Sequence, residues 1–193
     1  MAIRIDVLHP VTDEELAALS DRNPGYQFER TAEGRLTVSP TGGDSGRRSG
    51  EVFLQLGVWN RRIQQGVVFD SSTGFDLADG SCLSPDASWV RRQRWEALTP
   101  QERGGFVPLA PDAAFEVRSA SDRLSALRSK MRSYVANGVR LAVLVDAPGR
   151  TVEVYRPGQE PVRHQHPDGV ALDPELPGFT LEFGPVWSDE APS

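Results

Sequence analysis

Apolar positions along the chain fall into blocks of two alternating periods. Thr12-Asp13-Glu14-Glu15 has capping-box spacing and predicts a short helix through about Leu19, with Leu16 and Leu19 facing inward. Residues 26–29 and 36–38 alternate around Glu33-Gly34, the signature of a hairpin. The turn formers of residues 39–46 then feed a longer helix, from about Gly46 to Gln64, whose buried stripe is Val52, Leu56, Trp59 and Ile63. Gly66 ends it. Residues 67–70 read as a buried strand, and 71–80 turn back through Phe75 and Leu77. Residues 84–90 alternate as a further strand, with Pro85 where a strand begins.

A charged excursion over 91–111 is the least regular stretch, holding Trp95 and a turn of helix at 99–103. Residues 113–117 are a short apolar strand interrupted by Glu116. Ser119, Ser121 and Asp122 offer caps for a helix from about Asp122 to Asn137, which Gly138 stops. Its apolar face is Leu124, Leu127, Met131, Tyr134 and Val135. At about 100° per residue, Lys130 lies roughly 40° from Tyr134, on the margin of that face. There it can bury its stem and aim its head at the adjacent sheet. Residues 141–146 and 151–155 form a hairpin. The helix between strands 113–117 and 141–146 is a crossover, so those two strands should be parallel. From Arg156 onward the chain is rich in Pro and Gly and should cap the sheet without a core of its own. The expected class is mixed α/β. One domain over 1–193 divides into an N-terminal helix and hairpin (1–40), a central core (41–156) and an extension (157–193).

Composition narrows the class. With 193 residues, 38% hydrophobic and 25% charged, and no apolar run near the roughly 20 residues of a membrane helix, a soluble globular protein is expected, with no membrane partner. Residues 1–6 lack a secretory signal and the single cysteine, Cys82, has no partner for a disulfide, so the cytoplasm is the expected compartment. A net charge of −6 repels polyanions as a whole, so any nucleic-acid contact must be local. Lys and Arg total 21, and 20 of these are Arg, which leaves Lys130 as the lone lysine. Lysine is a compact point charge with a tunable pKa, whereas arginine stays protonated and presents a broad fork, so this position invites a chemical reason.

Asp86 opens one strand, Glu116 interrupts another, and Lys130 lies on the helix that follows. A carboxylate in an apolar strand is costly to bury without a partner or metal. If the two strands are neighbours, the acids can converge on one divalent cation, and oxygen-only ligation suits Mg²⁺ or Mn²⁺ better than zinc. A nearby lysine could orient a water or offset charge on a phosphorane-like transition state.

At this constellation the chain resembles the Uma-two family, bacterial proteins of the PD-(D/E)XK, or restriction-endonuclease-like, nuclease superfamily. The resemblance rests on Ser-Pro-Asp at 84–86, Phe-Glu-Val-Arg-Ser at 115–119, Lys130 with Tyr134, and Asn-Gly-Val at 137–139. It also takes in 67–75, 95–100 and 152–158, and spans about 12–183. It implies a central mixed sheet flanked by helices and a metal-dependent phosphodiester hydrolase, an endonuclease acting on DNA with Mg²⁺ or Mn²⁺. Asp86 matches the signature aspartate and Glu116 the second acid. Two residues later stands Arg118 where many relatives have lysine. Arg118 can clamp phosphate, and Lys130 matches the place to which the family has moved its lysine. The superfamily often dimerises to cut two strands, so a homodimer is a possible assembly.

Asp70 and Glu51 are weaker candidates for a third acidic ligand; their plainer readings are a turn-capping carboxylate and a solvated helix residue. His164-Gln165-His166 sits in a Pro-flanked tail, His9 precedes Pro10, and Cys82 reads as a small packed group. Arg47 and Arg48 open a helix where phosphate could be met. Two competing readings stay open. One is a non-catalytic module that keeps the fold to bind nucleic acid or a protein, favoured by the acidic balance and by Arg118. The other is a structural protein in which Asp86, Glu116 and Lys130 form only a buried ion network.

Overall fold

A computed structural model describes residues 3–7, 9–40 and 42–188. It is a mixed α/β protein in which a six-stranded sheet carries helices on both faces and a smaller sheet closes one side. Strand β1 (Ile3–Ile5) precedes helix α1 (Asp13–Arg22), whose Thr12–Glu15 capping box forms as the spacing predicts. Strands β2 (Tyr26–Arg30) and β3 (Leu36–Pro40) make the expected hairpin, and helix α2 (Gly43–Ile63) begins a few residues before the expected start. Thr41, in the turn-former loop, lies outside the described residues.

Strand β4 (Gly66–Asp70) leads through two short strands, β5 (Phe75–Asp76) and β6 (Cys82–Leu83), to β7 (Ala87–Arg91). Two short helices, α3 (Arg92–Glu96) and α4 (Pro100–Arg103), fill the charged excursion. Strand β8 (Ala113–Arg118), helix α5 (Leu124–Ala136) and strand β9 (Leu141–Asp146) form the crossover unit, and β8 and β9 pair in parallel. Strands β10 (Thr151–Tyr155) and β11 (Val162–Gln165), the short pair β12 (Gly169–Ala171) and β13 (Thr180–Glu182), and helix α6 (Gly184–Trp187) complete the chain.

The large sheet runs β11-β10-β9-β8-β7-β4, and the small one β1-β3-β2-β6-β5. Because side chains alternate along a strand, the odd residues of β8 and β9 face one layer and the even residues the other. Ala113, Phe115, Val117, Leu141, Val143 and Val145 pack with Val52, Leu56 and Trp59 of α2. Ala114, Ala142 and Leu144 pack with Met131 and Tyr134 of α5. The tail has no core of its own: Val170, Leu172, Leu176, Phe179, Leu181 and Phe183 join the α2 layer. It also adds β11, a sixth strand that its Pro- and Gly-rich composition conceals.

One expectation is corrected. The caps expected at the start of α5 do not form, because Asp122 Oδ2 folds back to accept from the Ser119 N–H and hydroxyl at 2.9 and 2.6 Å, leaving the helix to start at Leu124. At the start of α2 the Arg47 guanidinium donates to the carbonyls of Pro185 and Ser188, and Arg48 to that of Val186, pinning α6.

Candidate functional site

The layer containing α5 is mostly apolar but buries charge on both flanks of the helix, Glu153 beside Arg128 on one and a cluster around Glu116 on the other. In the antiparallel register of β7 and β8, Ala87 pairs with Phe115, so one residue further Asp86 comes opposite Glu116. Opposite residues share a face, and here that is the face under α5. Glu116 is buried, and Lys130, on the margin of the apolar stripe, turns its ammonium into the same space. Lys130 Nζ lies 2.7 Å from Glu116 Oε1 and donates at 2.8 Å to Glu29 Oε1. The buried Tyr134 hydroxyl also donates to Glu116 Oε1, at 2.9 Å, and the backbone N–H of Val117 donates to Asp86 Oδ2 at 2.7 Å. Among the described residues these donors engage one oxygen of each acid, so Asp86 Oδ1 and Glu116 Oε2 are left for another partner.

Glu29 was not singled out in the sequence, and its local signal misleads. In β2, Tyr26 and Phe28 alternate with polar residues and suggest that Glu29 faces water. Instead Tyr26 is 54% exposed and Glu29 only 8%. Both faces of β2 are covered, one by α1 and the other by the large sheet with Lys130. The Ser84 N–H, just before the Pro85-Asp86 step, also donates to Glu29 Oε1 at 2.7 Å, tying the hairpin to the site.

Three carboxylates against one ammonium make the cluster electrostatically unbalanced. Burial pushes Asp86 up to about 6; the Val117 N–H and Lys130 pull it down, and the charges of Glu29 and Asp122 push it further up. Glu116 is raised well above the ordinary range, first by burial and then by Asp86 and Glu29 against the pull of Lys130. For Lys130 burial alone would lower the pKa, but Glu116 and Glu29 outweigh it and hold the ammonium above lysine's usual value. Lys130 is therefore a proton-bearing donor, not a base.

The remaining candidates sit apart from this core. Arg118 shares the face of Glu116 but its Nη1 donates to Asp146 Oδ1 at 2.9 Å and its Nε to the Asp122 carbonyl at 3.1 Å. It stands at the rim, partly exposed. Asp70 pairs in register with Ala87, which puts it on the opposite face from Asp86; its Oδ1 accepts from the Ser72 N–H and hydroxyl at 3.0 and 2.5 Å. Glu51 lies on α2, across the sheet from Lys130, and accepts from Gln55 at 3.0 Å. The structure thus gathers Asp86, Glu116 and Lys130 with Glu29, and does not gather Asp70 or Glu51. Cys82 is buried, and His164 and Gln165 lie on the edge strand β11.

The donor set is all carboxylate oxygen, which fits a hard divalent cation and neither thiophilic nor imidazole-seeking metals. Among the described residues no three His, Cys, Asp or Glu side chains form a ready-made metal cage. A two-carboxylate site completed by water, the habit of Mg²⁺, is the form these residues fit. Among the described residues no helix is long and apolar enough to cross a membrane.

No curated protein sequence matches the chain. Its fold is shared with a crystal structure described as a "putative nuclease belonging to DUF820" from Anabaena variabilis, at a TM-score of 0.72 and 21% identity, over 92% of this chain and 98% of that one. The family model named Uma2, described as "Putative restriction endonuclease", matches residues 13–184, which take in Glu29, Asp86, Glu116 and Lys130 alike. On that match, covering nearly the whole chain, the protein belongs to the Uma2 family.

Proposed function

We propose that this protein is a metal-dependent endonuclease that hydrolyses phosphodiester bonds in DNA. The observation that carries the reading is the meeting of Asp86, Glu116 and Lys130 in one buried, charge-unbalanced cluster where Glu29 of the small sheet reaches the helix that covers the large one. Carboxylates pushed upward by burial and mutual repulsion are stabilised by a divalent cation, whose two charges offset the surplus of the cluster.

Asp86 and Glu116 would hold the ion. When bound, such an ion supplies a Lewis acid for a phosphoryl oxygen and lowers the pKa of its water. The chain's own groups supply the rest. Lys130, kept protonated by Glu116 and Glu29, donates to a phosphoryl oxygen or orients the attacking water, and its positive charge offsets charge that builds in the transition state. Glu29 fixes the direction of that ammonium. Tyr134 saturates Glu116 Oε1 and so would leave Oε2 for the ion. Arg118 meets phosphate from the rim.

Nicking of supercoiled plasmid in Mg²⁺ or Mn²⁺ tests this. Wild type should nick, and Asp86→Ala and Lys130→Ala should not; nicking that survives both changes overturns the assignment. Calorimetric titration with Mn²⁺ separates the enzyme from a module that keeps the fold only for binding, since the latter need not hold a metal.

A further inference from the structure

Helix α5 bears Lys130 on one flank and a second basic feature on the other. Its thirteen residues include Arg128, Lys130 and Arg132 and no acid, in a chain whose net charge is −6. Arg128 and Lys130 flank the buried stripe of Leu127, Met131 and Tyr134 on opposite sides. On the Arg128 side, α5 and strands β10 and β11 enclose a hollow of about 780 Å³, lined by four arginines, Arg128, Arg132, Arg156 and Arg163, and two acids, Glu153 and Glu160.

The charges in the hollow are unequally committed. Glu153 is buried and already satisfied: Arg128 Nε donates to its Oε2 at 3.0 Å, the Tyr155 hydroxyl to the same oxygen at 2.6 Å, and Arg163 Nε lies 3.9 Å from Oε1. Arg156 pairs with Glu175 at 3.0 Å. Arg132 is exposed, and among the described residues its recorded hydrogen bond is to Ser129 Oγ at 3.4 Å, a neutral partner. Arg163 is about half exposed. Set against the remaining acid of the lining, Glu160, these two forks leave the hollow one positive charge in surplus, and guanidinium forks match phosphate oxygens in pairs. Between the hollow and the Lys130 flank, the solvent face of α5 offers Ser125, Ala126, Ser129 and Ala136, all exposed and short, so a sugar-phosphate chain can lie close to the helix.

We infer that this arginine hollow binds the phosphate backbone of the DNA strand on which the Asp86–Glu116–Lys130 cluster acts, the strand crossing the solvent face of α5 between them. The inference rests on reading that cluster as a phosphodiester site. It explains how an acidic protein would retain a polyanion.

The test is fluorescence anisotropy of a short labelled single-stranded oligodeoxynucleotide, and of its duplex, over a salt series in EDTA. Wild type is compared with Arg132→Ser/Arg163→Ser. Arg128 is left in place because it neutralises buried Glu153, and a thermal melt checks that the double variant folds. Binding by the double variant should weaken about ten-fold at low salt, and the slope of log K against log salt should shrink by about 1–2, with the paired Arg→Lys variant recovering the slope. Unchanged affinity and slope overturn the inference, as does a wild type that binds neither probe. Inorganic phosphate that stabilises wild type but not the double variant, while oligonucleotide binding is equal in both, assigns the hollow to a free anion and also overturns it. Weaker binding by the double variant with no nicking by wild type leaves the hollow standing and removes the hydrolytic reading; nicking by wild type with unchanged binding does the reverse.

Discussion

Glu29 and Lys130, 101 positions apart in the chain, meet through a 2.8 Å hydrogen bond between a strand of the small sheet and the helix that covers the large one. This bond makes the N-terminal hairpin part of the site. It also gives the ammonium two buried acceptors, Glu29 and Glu116, so its direction is fixed before any substrate arrives.

Removing the ammonium should expose both functions of that contact. Lys130→Met leaves Glu29 and Glu116 buried together without a counter-charge, and breaking a buried ion group in this way costs about 3–5 kcal/mol. We expect the loss, read by urea unfolding, to be full near pH 8 and smaller near pH 5, where the acids can take up protons. Lys130→Arg keeps the charge and should recover much of the stability, yet its wide fork should not restore plasmid nicking. Nicking by the Arg variant at the wild-type rate would show that Lys130 acts only as a counter-charge.

The fold and three members of the cluster are legible in the sequence. Glu116 is a carboxylate inside an apolar strand and Lys130 is the lone lysine at the margin of a helical stripe, so each violates the pattern around it, while Asp86, just before an apolar strand, stands out through its Ser-Pro-Asp setting. Glu29 violates nothing visible. Its strand alternates as a half-exposed edge would, and only the docking of the small sheet against α5, a contact no local period encodes, turns it inward. Asp70 and Glu51 mislead for the converse reason: each is an acid near an element end, but strand register places Asp70 on the other face of the sheet, and α2 packs across that sheet from Lys130. The sixth strand, β11, was hidden because its residues, Val-Arg-His-Gln, carry no apolar alternation and are held by pairing with β10.

Tyr134 gives a finer test. Its hydroxyl and the ammonium of Lys130 converge on the same oxygen of Glu116, at 2.9 and 2.7 Å. Tyr134→Phe removes one donor from a buried carboxylate and should cost about 1–2 kcal/mol of stability. With its anion less well solvated, Glu116 should ionise at higher pH, so the alkaline-going rise of the nicking rate should move upward in pH and the rate at neutral pH should fall about ten-fold. A lower rate with an unmoved pH profile would mean that Tyr134 merely packs.

Gly66 tests the frame on which the site hangs. An added Cβ there would meet Trp89 Nε1 and stand 2.5 Å from the Val90 carbonyl oxygen. Trp89 cannot yield freely, since its Nε1 donates to Asn60 Oδ1 at 2.9 Å and its ring packs edge-on against Trp59. Gly66→Ala should therefore force β4 away from β7 and cost about 3 kcal/mol, seen as a lower melting temperature. Gly57, on α2 with nothing near its added Cβ, is the control, and Gly57→Ala should be neutral or stabilising.

Chelation should reveal the surplus negative charge as a pH dependence of stability. Asp86 is raised by burial from 3.8 to about 6, so it binds its proton more tightly in the folded than in the unfolded chain. A raised acid contributes stability that is fully present below its unfolded value and lost as pH climbs through its folded value. For Asp86 that loss is on the order of 3 kcal/mol between about pH 4 and 6, and Glu116, raised for the same reason, extends it upward. Asp79 and Glu153 are lowered and act in the opposite sense, but their contribution is complete once the pH exceeds the ordinary carboxylate range. In EDTA the melting temperature should accordingly fall from about pH 5 to 7, and Asp86→Asn, which cannot ionise, should flatten that fall and melt higher than wild type at neutral pH. Mn²⁺ should raise the wild-type melting temperature more at neutral pH than at pH 5, because a bound cation competes with protons for the same oxygens, and should leave Asp86→Asn nearly unmoved. A melting temperature that climbs from pH 5 to 7 in EDTA would show that these acids are already balanced by the protein, and the case for a cation at Asp86 and Glu116 would fall.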